Sequence, residues 1–390
     1  CVIDRRRIRA DANYSGQVRQ HSRWEGPCRR FPLMSDLYLQ NSSTLDRLDT
    51  QIIRALQVSP RAPFSMIADV LAVSEQTVAR RYRRLGRDGV LRIIGVVDPN
   101  ALGQSSWIVR IQSRPSGTES LAAALAQRDD VGWVTLSAGG SEVVCAVRSR
   151  TREARDDLLV QRLPRTTPVL GVAAAVVLHR FVGGGGDDWA ALAPVLTDEQ
   201  TRRLCAPTPG RPAAPATLEP SDEPMLALLA ADGRATYGAL AAAAGISEGR
   251  AMRRLTTLLE LGVAYLDIDL SAAALGFHAL ANLWLTVTPA ELANAGEALS
   301  REQEVAFAAA ISGPHNLTAA VTCRDLDGLY RFITAKVGAI AGVQTMEVSP
   351  VLRHVKQAGA LVSGDRLGAT VAAKPRPQRA GRGHSEMLSP

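Results

Sequence analysis

The sequence has 390 residues, of which 46% are hydrophobic and 21% charged, a balance typical of a globular protein with chain enough for two to four domains. Basic residues outnumber acidic ones by 45 to 38, and the resulting charge of +7 favours a polyanionic partner. The five cysteines are scattered without a CxxC pair, which excludes a disulfide framework and indicates a reducing cytoplasm. No apolar run approaches the roughly 18 residues of a membrane-spanning helix, so we expect no membrane partner.

The two ends of the chain are predicted to be disordered. Residues 1–33 are rich in arginine and lack the apolar core of a signal peptide. We expect Met34 to be the natural start, with residues 1–33 as either a basic arm or mis-assigned upstream sequence. The disordered segments are therefore placed at residues 1–43 and, as a basic tail, at residues 363–390.

Between these ends the chain repeats itself. Residues of the first half recur 173 positions later without a gap; Asp49, for example, returns as Asp222 and Gly103 as Gly276. A period this long exceeds that of a solenoid, since each copy can close its own core. The chain is predicted to be two fused copies of one unit.

The first copy begins with three predicted helices, at residues 45–56, 64–71 and 75–87, and an extended segment at 90–97. Apolar residues recur at helical spacing, Ser74 is a suitable N-cap for the third helix, and Gly89 a suitable stop. This domain, residues 44–97, is predicted to be a winged-helix-like helix-turn-helix. The order β-α-β-β-α-β that follows, within residues 98–182, predicts a ferredoxin-like four-stranded antiparallel sheet with both helices on one face. The second copy is the expected cover for the other face.

The second copy repeats this organisation after a linker. The linker is placed at residues 183–215, with Thr197 and Gln200 as the capping box of a short helix inside it. Its glycine run lacks the GK[ST] of a phosphate loop. A second helix-turn-helix domain is predicted at residues 216–270 and a second ferredoxin-like domain at 271–362. The expected fold class is α+β, with the two domain types alternating.

The third helix of the first copy carries the strongest functional signal. A helical wheel places Tyr82 and Leu85 with Val78 on the inner face and a cluster of arginines on the outer face. Solvated helices usually alternate charge sign, and this one does not. The third helix is predicted to lie in the DNA major groove. The alternative is that it is a basic surface helix that contacts no DNA. The predicted contacts are Gln76, Thr77 and Arg80 near base edges, Arg83, Arg84 and Arg87 near phosphates, and Arg81.

The corresponding helix of the second copy is less basic. Its predicted DNA contacts are Arg250, Arg253 and Thr257, and Gly249 weakens the helix by about 1 kcal/mol relative to alanine. We therefore expect the two copies to contact DNA unequally, at an imperfect palindrome.

The segments LDRLDTQIIRAL and SEQTVARRYRRLGRDGV, followed by the ferredoxin-like module, resemble the Lrp/AsnC family of bacterial transcription regulators. The resemblance covers residues 45–181 and again 218–361. It implies a sequence-specific regulator that binds double-stranded DNA as a dimer or higher oligomer and binds an amino acid at the subunit interface. Here the two copies would form a pseudo-dimer within one chain, which could assemble further into a homo-oligomer.

The family's effector loop reads like Gly-Asp-Tyr-Asp, and this chain departs from it in both copies. The matching positions, which the resemblance implies as effector contacts, include Gly139, Ser141 and Glu142 in the first copy and Gly313, His315 and Asn316 in the second. The first acidic residue is absent from both. The ammonium-binding carboxylate is therefore either missing or replaced by Glu142. Gly139 and Gly313 are either parts of an effector loop or simply turn glycines.

No enzyme motif is present in the sequence: it lacks HExxH, a nucleophile elbow, and a Cys/His cluster at metal spacing. We expect no catalysis, cofactor or metal. The alternative is an enzyme resembling sirohaem decarboxylases, which look like fused Lrp/AsnC-like units and use His and Arg on a tetrapyrrole. His315 could then be catalytic. The arginine-rich first recognition helix favours the regulator.

Overall fold

The computed structural model describes residues 45–149, 151–183, 189–205 and 216–370. The segment predicted to be disordered at the N-terminus, up to residue 43, lies outside these residues, as does the tail beyond 370. The elements of the first copy are α1 Arg47–Val58, α2 Phe64–Leu71, α3 Glu75–Arg87, β1 Leu91–Val97, β2 Trp107–Ser113, α4 Pro115–Ala126, β3 Val131–Ser137, β4 Glu142–Val147, α5 Arg152–Asp156 and β5 Val169–Val182.

A short helix, α6 Asp198–Leu204, precedes the second copy, and the predicted capping box of Thr197 and Gln200 is present at its start. The second copy and the C-terminal segment contain α7 Asp222–Ala231, α8 Tyr237–Ala244, α9 Glu248–Glu260, β6 Ala264–Leu270, β7 Ala279–Val287, α10 Leu292–Ser300, β8 Val305–Ile311, β9 Leu317–Cys323, α11 Leu326–Arg331, β10 Val343–Gln357, β11 Ala360–Ser363 and β12 Arg366–Thr370. The predicted α+β class is confirmed.

The three helices of each helix-turn-helix pack around one apolar core, and residues of the other copy complete it: Ile268 and Leu270 in the first core, Val97 and Ala101 in the second. In the first copy, Ile52, Ile67 and Val78 from the three helices are fully buried against one another, as their helical spacing requires. In the second copy Met225, Leu240 and Leu255 do the same. No helix in the described part of the chain is long and apolar enough to cross a membrane.

The two ferredoxin-like sheets have the expected antiparallel order, β3-β4-β2-β5 in the first copy and β8-β9-β7-β10 in the second. One face of the first sheet packs on α4 through residues such as Leu121 and Leu125. Its other face meets the second sheet, where Val144 packs with Trp284 and Ile311. The second copy therefore covers the open face of the first, as the sequence analysis expected.

The long strands β5 and β10 also join the two sheets at their edges. The first part of β5 pairs with β2, and the part from Val177 onward pairs with β8 of the second copy. Strand β10 pairs first with β7 and, from Val351 onward, with β3 of the first copy. A strand of 14 or 15 residues is longer than one small sheet requires, so its second half is available to the neighbour.

A separate two-stranded ribbon of β1 and β6 joins the two helix-turn-helix domains. The strands are antiparallel, and Ile94 lies opposite Asp267, which is its own counterpart in the repeat. An approximate two-fold axis consequently passes through this pair.

Two predicted boundaries differ from the structure. Within the predicted linker, Leu192, Leu196 and Leu204 are buried against the first helix-turn-helix, because a short amphipathic segment can bury its apolar side chains there. The tail predicted from residue 363 begins with a hairpin of β11 and β12. That hairpin is held to the first copy, since Leu367 donates its backbone N–H to the Gly89 carbonyl at 2.9 Å.

The second helix of each ferredoxin-like domain is also less regular than predicted. Helix α5 continues as a π-helical and then a 3₁₀ segment to Arg165, and α11 continues in the same way to Ala339.

Candidate nucleic-acid interface

Helix α3 is positioned by the turn and cap that precede it. Ala72, with φ 55°, ends α2 in the left-handed conformation, and the Ser74 hydroxyl accepts the Thr77 N–H at 3.2 Å. Val78 and Leu85 face the core and are at most 1% exposed. The opposite side of α3 is therefore presented to solvent as one continuous face.

Most of the residues predicted to contact DNA lie on that face. Gln76, Arg80, Arg83 and Arg87 are exposed, whereas Thr77 is partly buried and shares a 2.8 Å hydrogen bond between its hydroxyl and that of Ser74. Within the described residues, Arg80 and Arg83 form no ion pair, and Arg87 has only the adjacent Asp88, at 3.4 Å. These guanidinium groups are placed where an external anion could reach them.

Arg81 and Arg84 are oriented differently, which corrects the sequence analysis. Arg81 donates to Asp46 at 2.6 Å and to Asp49 at 2.8 Å, and Arg84 donates to the other oxygen of Asp49 at 2.5 Å. Asp49 is completely buried at the start of α1, and a buried carboxylate needs such partners. Both arginines therefore hold α3 against α1 rather than extending toward DNA.

The second copy presents a weaker cationic face. Arg253 is exposed, but Arg250 lies 3.4 Å from Glu219, and the Thr257 hydroxyl donates to the Arg253 carbonyl at 3.0 Å. Arg254, the counterpart of Arg81, is bound to the buried Asp222 at 2.6 Å. Within the described residues, the exposed face of α9 therefore carries fewer unpaired arginines than that of α3.

A further pair of residues, not predicted from the sequence, joins the two helix-turn-helix domains. Arg61 lies over the Tyr237 ring, 5.1 Å from its centroid, and Arg234 lies over the Phe64 ring at 4.5 Å. Both arginines also donate to backbone carbonyls of the opposite copy. The signal was available, because Arg61 and Arg234 belong to the residues that recur at the 173-residue spacing.

The effector loops adopt the predicted turns, with φ 67° at Gly139 and φ 109° at Gly313. Glu142, however, does not offer an open carboxylate. It is 3% exposed, accepts from Arg110 Nε at 2.7 Å, and accepts from the Ser349 hydroxyl of the second copy at 3.1 Å. This corrects the interpretation of Glu142 as an ammonium ligand, because its oxygens already have buried donors.

The other loop residues are divided between local and intercopy contacts. Ser141 donates to the Ala138 carbonyl at 2.8 Å, and the Asn316 amide bridges the backbone N–H and carbonyl of Val287. His315 Nε2 lies 3.6 Å from Glu347, which also binds Arg110. The Arg110 side chain holds the pKa of Glu347 below its usual range. The six predicted effector residues therefore do not converge on one pocket.

In the described part of the chain, no group of three or more His, Cys, Asp or Glu side chains is arranged to hold a metal ion. Burial raises the pKa of the Cys145 thiol to about 12, so this cysteine is protonated and unreactive at neutral pH.

Comparisons with known proteins match both domain types. Residues 45–85 match the AsnC-type helix-turn-helix domain, residues 219–264 match a winged helix-turn-helix DNA-binding domain, and residues 280–361 match the Lrp/AsnC ligand binding domain. The three matched segments include most of α3, all of α9 and most of the second sheet.

Among individual proteins, the chain is 30% identical over 144 residues to the transcriptional regulator AldR of Mycolicibacterium smegmatis, covering 36% of this chain and 84% of AldR. It is 26% identical over 139 residues to LrpA of Pyrococcus abyssi, covering 35% of this chain and 99% of LrpA. The fold resembles the crystal structure of the siroheme decarboxylase NirDL, with a TM-score of 0.54, 13% identity, and coverage of 80% of this chain and 93% of that one. The last likeness concerns the fold alone. The sequence relationships show that the chain belongs to the Lrp/AsnC family of helix-turn-helix transcriptional regulators.

Proposed function

We propose that this regulator binds double-stranded DNA with α3 in the major groove and that the first copy supplies most of the affinity. The observation that carries the proposal is the unpaired state of Arg80 and Arg83 within the described residues, on the exposed face of a capped helix. Gln76 and Arg80 are near the helix start, where side chains of such motifs reach base edges. Arg83 and Arg87 lie farther along and are assigned to phosphates.

The second recognition helix is assigned a supporting role. Arg253 and the partly paired Arg250 would contact backbone phosphates, and Thr257 is too engaged with its own helix to read a base. The preferred site would then consist of one strongly and one weakly specified half-site. Action on DNA and the scattered cysteines support a cytoplasmic location.

The proposal is tested by comparing Arg80→Ala, Arg87→Ala and Arg253→Ala in the full chain on a footprinted promoter fragment. Arg80→Ala should reduce the preference for the specific site by about 1–3 kcal/mol. Arg87→Ala should weaken binding to all sequences and reduce the magnitude of the slope of log K against log salt by about 0.9. Arg253→Ala should have a smaller effect than Arg80→Ala. Equal losses for these two, or an unchanged slope for Arg87→Ala, would contradict the assignment.

We further propose that the regulator responds to a small molecule, as expected for a chain that matches the Lrp/AsnC ligand binding domain. An amino acid at the effector loops would need an ammonium partner other than Glu142, whose oxygens are occupied by Arg110 and Ser349. Thermal unfolding in a panel of amino acids tests this. We expect an amino acid to raise the midpoint of thermal unfolding of the parent chain and to raise it equally in Glu142→Gln. If the midpoint no longer rises in Glu142→Gln, Glu142 would be a ligand after all.

Assembly beyond one chain is also proposed. Leu178 and Leu352 occupy equivalent positions on β5 and β10 and are 64% and 58% exposed. Paired exposed leucines on the two long strands favour contact with another molecule of the same chain. In sedimentation experiments the parent chain should be an oligomer, and the double variant Leu178→Lys, Leu352→Lys should be a monomer. A monomeric parent chain, or a double variant that remains an oligomer, would contradict this.

A decarboxylase is the second candidate, favoured by the fold likeness to NirDL over most of the chain. The residue in question is His315, which lies beside Glu347 and close to Arg110. Absorbance titration with sirohaem, followed by product analysis, tests it. Conversion that His315→Ala abolishes would support the enzyme over the regulator.

A further inference from the structure

A cavity of about 260 Å³ lies between the two ferredoxin-like sheets and beneath the β1–β6 ribbon. Aromatic residues make up only 4% of the chain, yet four of its five tryptophans line this one cavity. They are Trp107, Trp133, Trp189 and Trp284, and Phe307 and Tyr265 complete the aromatic wall. Flat aromatic walls are suited to a flat apolar ligand.

Several polar groups in the wall lack a partner within the described residues. Trp284, which is 2% exposed, has no acceptor for its indole N–H, and Trp107 Nε1 and Asn282 Nδ2 are also unpartnered. A buried donor without an acceptor destabilises the folded state, so a ligand that supplies the acceptor is favoured. These three nitrogen groups donate hydrogen bonds, so an occupant that satisfies them must supply acceptors. The two carboxyl oxygens of Asp269, which also lines the cavity, are likewise unpartnered, and burial raises the pKa of Asp269 well above its usual range, which favours the neutral carboxyl.

His354 adds a fourth unpartnered atom, Nδ1, and its ring stands edge-on to Trp133 with centroids 5.8 Å apart. Burial lowers the pKa of His354 to about 4, so the imidazole is neutral. The wall at His354 is therefore uncharged near pH 7.

The cavity also contains an arginine that forms no ion pair within the described residues, although Asp267 and Asp269 line the same cavity. Arg148 lines the cavity, and no acidic side chain in the described part of the chain lies within salt-bridge distance of it. Arg180, which also lines the cavity, is instead paired with Asp98 at 3.1 Å. The counterpart of Arg148 in the second copy is Thr322, so the second copy contributes no equivalent charge to the cavity.

We propose that this cavity binds a planar aromatic carboxylate of one or two rings, with the carboxylate at Arg148 and the ring among Trp133, Trp284 and Phe307. The cavity is larger than the roughly 150 Å³ that accommodates a single benzene and lies below the range typical of drug-sized ligands. A carboxylate accepts hydrogen bonds at two oxygens and is a group of the kind that Arg148 and the unpartnered donors of the wall can bind. The site is distinct from the effector loops and does not depend on the DNA-binding proposal.

The ligand would also contact the element that joins the DNA-reading domains, because Tyr265 and Ile268 of β6 line the same cavity.

The test is calorimetric titration of the full chain with 2-naphthoate, its neutral amide 2-naphthamide, and leucine. We expect 2-naphthoate to bind at least tenfold more tightly than 2-naphthamide, to quench tryptophan fluorescence, and to be unaffected by leucine. Arg148→Gln should lower the affinity for 2-naphthoate tenfold or more and leave the affinity for 2-naphthamide unchanged. Arg301→Gln, at an exposed arginine, is the matched control and should bind like the parent chain.

A second variant, Ala320→Leu, narrows the cavity without removing a charge and should weaken both naphthyl compounds. Thermal unfolding of each variant confirms that it is folded. The proposal is overturned if 2-naphthoate does not bind, if it binds no better than the amide, if leucine competes with it, or if Arg148→Gln binds it like the parent.

Discussion

Arg61 and Arg234 each donate hydrogen bonds to the two backbone carbonyls on either side of the other arginine. Arg61 donates to the carbonyls of Gly233 and Ala235, both at 2.8 Å, and Arg234 donates to those of Pro60 and Ala62 at 2.7 and 3.0 Å. The arginine fork matches two convergent carbonyls, and both guanidinium groups also stack on aromatic rings. Because the contacts are reciprocal, they hold the two helix-turn-helix domains against each other.

We expect Arg61→Ala and Arg234→Ala each to lower the free energy of unfolding by about 2–3 kcal/mol, since each change removes two charge-assisted hydrogen bonds and a stacking contact. The double variant should lose less than the sum, because either change alone already loosens the shared interface. Urea denaturation measures both quantities. Arg83→Ala, at an exposed arginine, serves as the control and should stay within about 0.5 kcal/mol of the parent. If the losses in free energy of unfolding were strictly additive, the contacts of Arg61 and those of Arg234 would stabilise the domain interface independently.

The buried carboxylates at the start of the first helix of each copy have unequal support. Asp49 forms ion pairs with both Arg81 and Arg84. Its counterpart Asp222 is ion-paired to Arg254, and the position that corresponds to Arg84 is occupied by Thr257, which carries no charge. Arg254→Ala therefore strips a fully buried carboxylate of its cation and should cost about 3–5 kcal/mol. Arg81→Ala should cost less, since Arg84 remains. Comparing the two variants by urea denaturation checks this order, and a larger loss for Arg81→Ala would contradict it.

The sequence was most informative where structure depends on neighbours along the chain. Helix α2 has the predicted bounds, and the capping box of Thr197 and Gln200 is present, because caps and periodicity are local signals. Contacts between distant segments were not predictable in this way. A helical wheel indicates which face Arg81 occupies, but not that Asp49 lies opposite it. Likewise, nothing local to Glu142 indicates that Arg110 and Ser349 from other strands would occupy its oxygens.

The turn between the second and third helices should respond oppositely to substitution in the two copies. Ala72 and Gly245 are counterparts in the repeat, with φ 55° and 65°, a region that strains an L-residue by about 1–2 kcal/mol. A Cβ at Gly245 would meet no atom within 4 Å, so the backbone conformation alone decides the outcome.

Ala72→Gly relieves the backbone strain but also increases the entropy of the unfolded chain, so the net result should be a stabilisation of about 0.5–1 kcal/mol. Gly245→Ala introduces the strain and should destabilise the protein by about 1 kcal/mol. Differential scanning calorimetry on both variants distinguishes the two signs. The same sign for both changes would show that the turns are not equivalent.

The buried Lys356 predicts a specific dependence of stability on pH. Its side chain is 1% exposed, its ammonium donates to the Arg128 carbonyl at 2.5 Å, and burial lowers the pKa of Lys356 to about 8. The nearby Asp129 and Asp130 only partly oppose that shift. In the unfolded chain a lysine titrates near 10.4, so above pH 8 the unfolded state binds more protons and the free energy of unfolding rises with pH.

Between pH 8 and 9.5 the parent chain should therefore gain about 1.5 kcal/mol relative to Lys356→Met, which has no such group to titrate. Urea denaturation of both proteins at several pH values in this window measures the difference. Burial raises the pKa values of Tyr82 and Tyr265, which makes stability fall as pH rises above about 10. Both tyrosines are retained in the variant, so their contribution cancels. Parallel pH profiles for the two proteins would show that Lys356 keeps its ordinary pKa in the folded state.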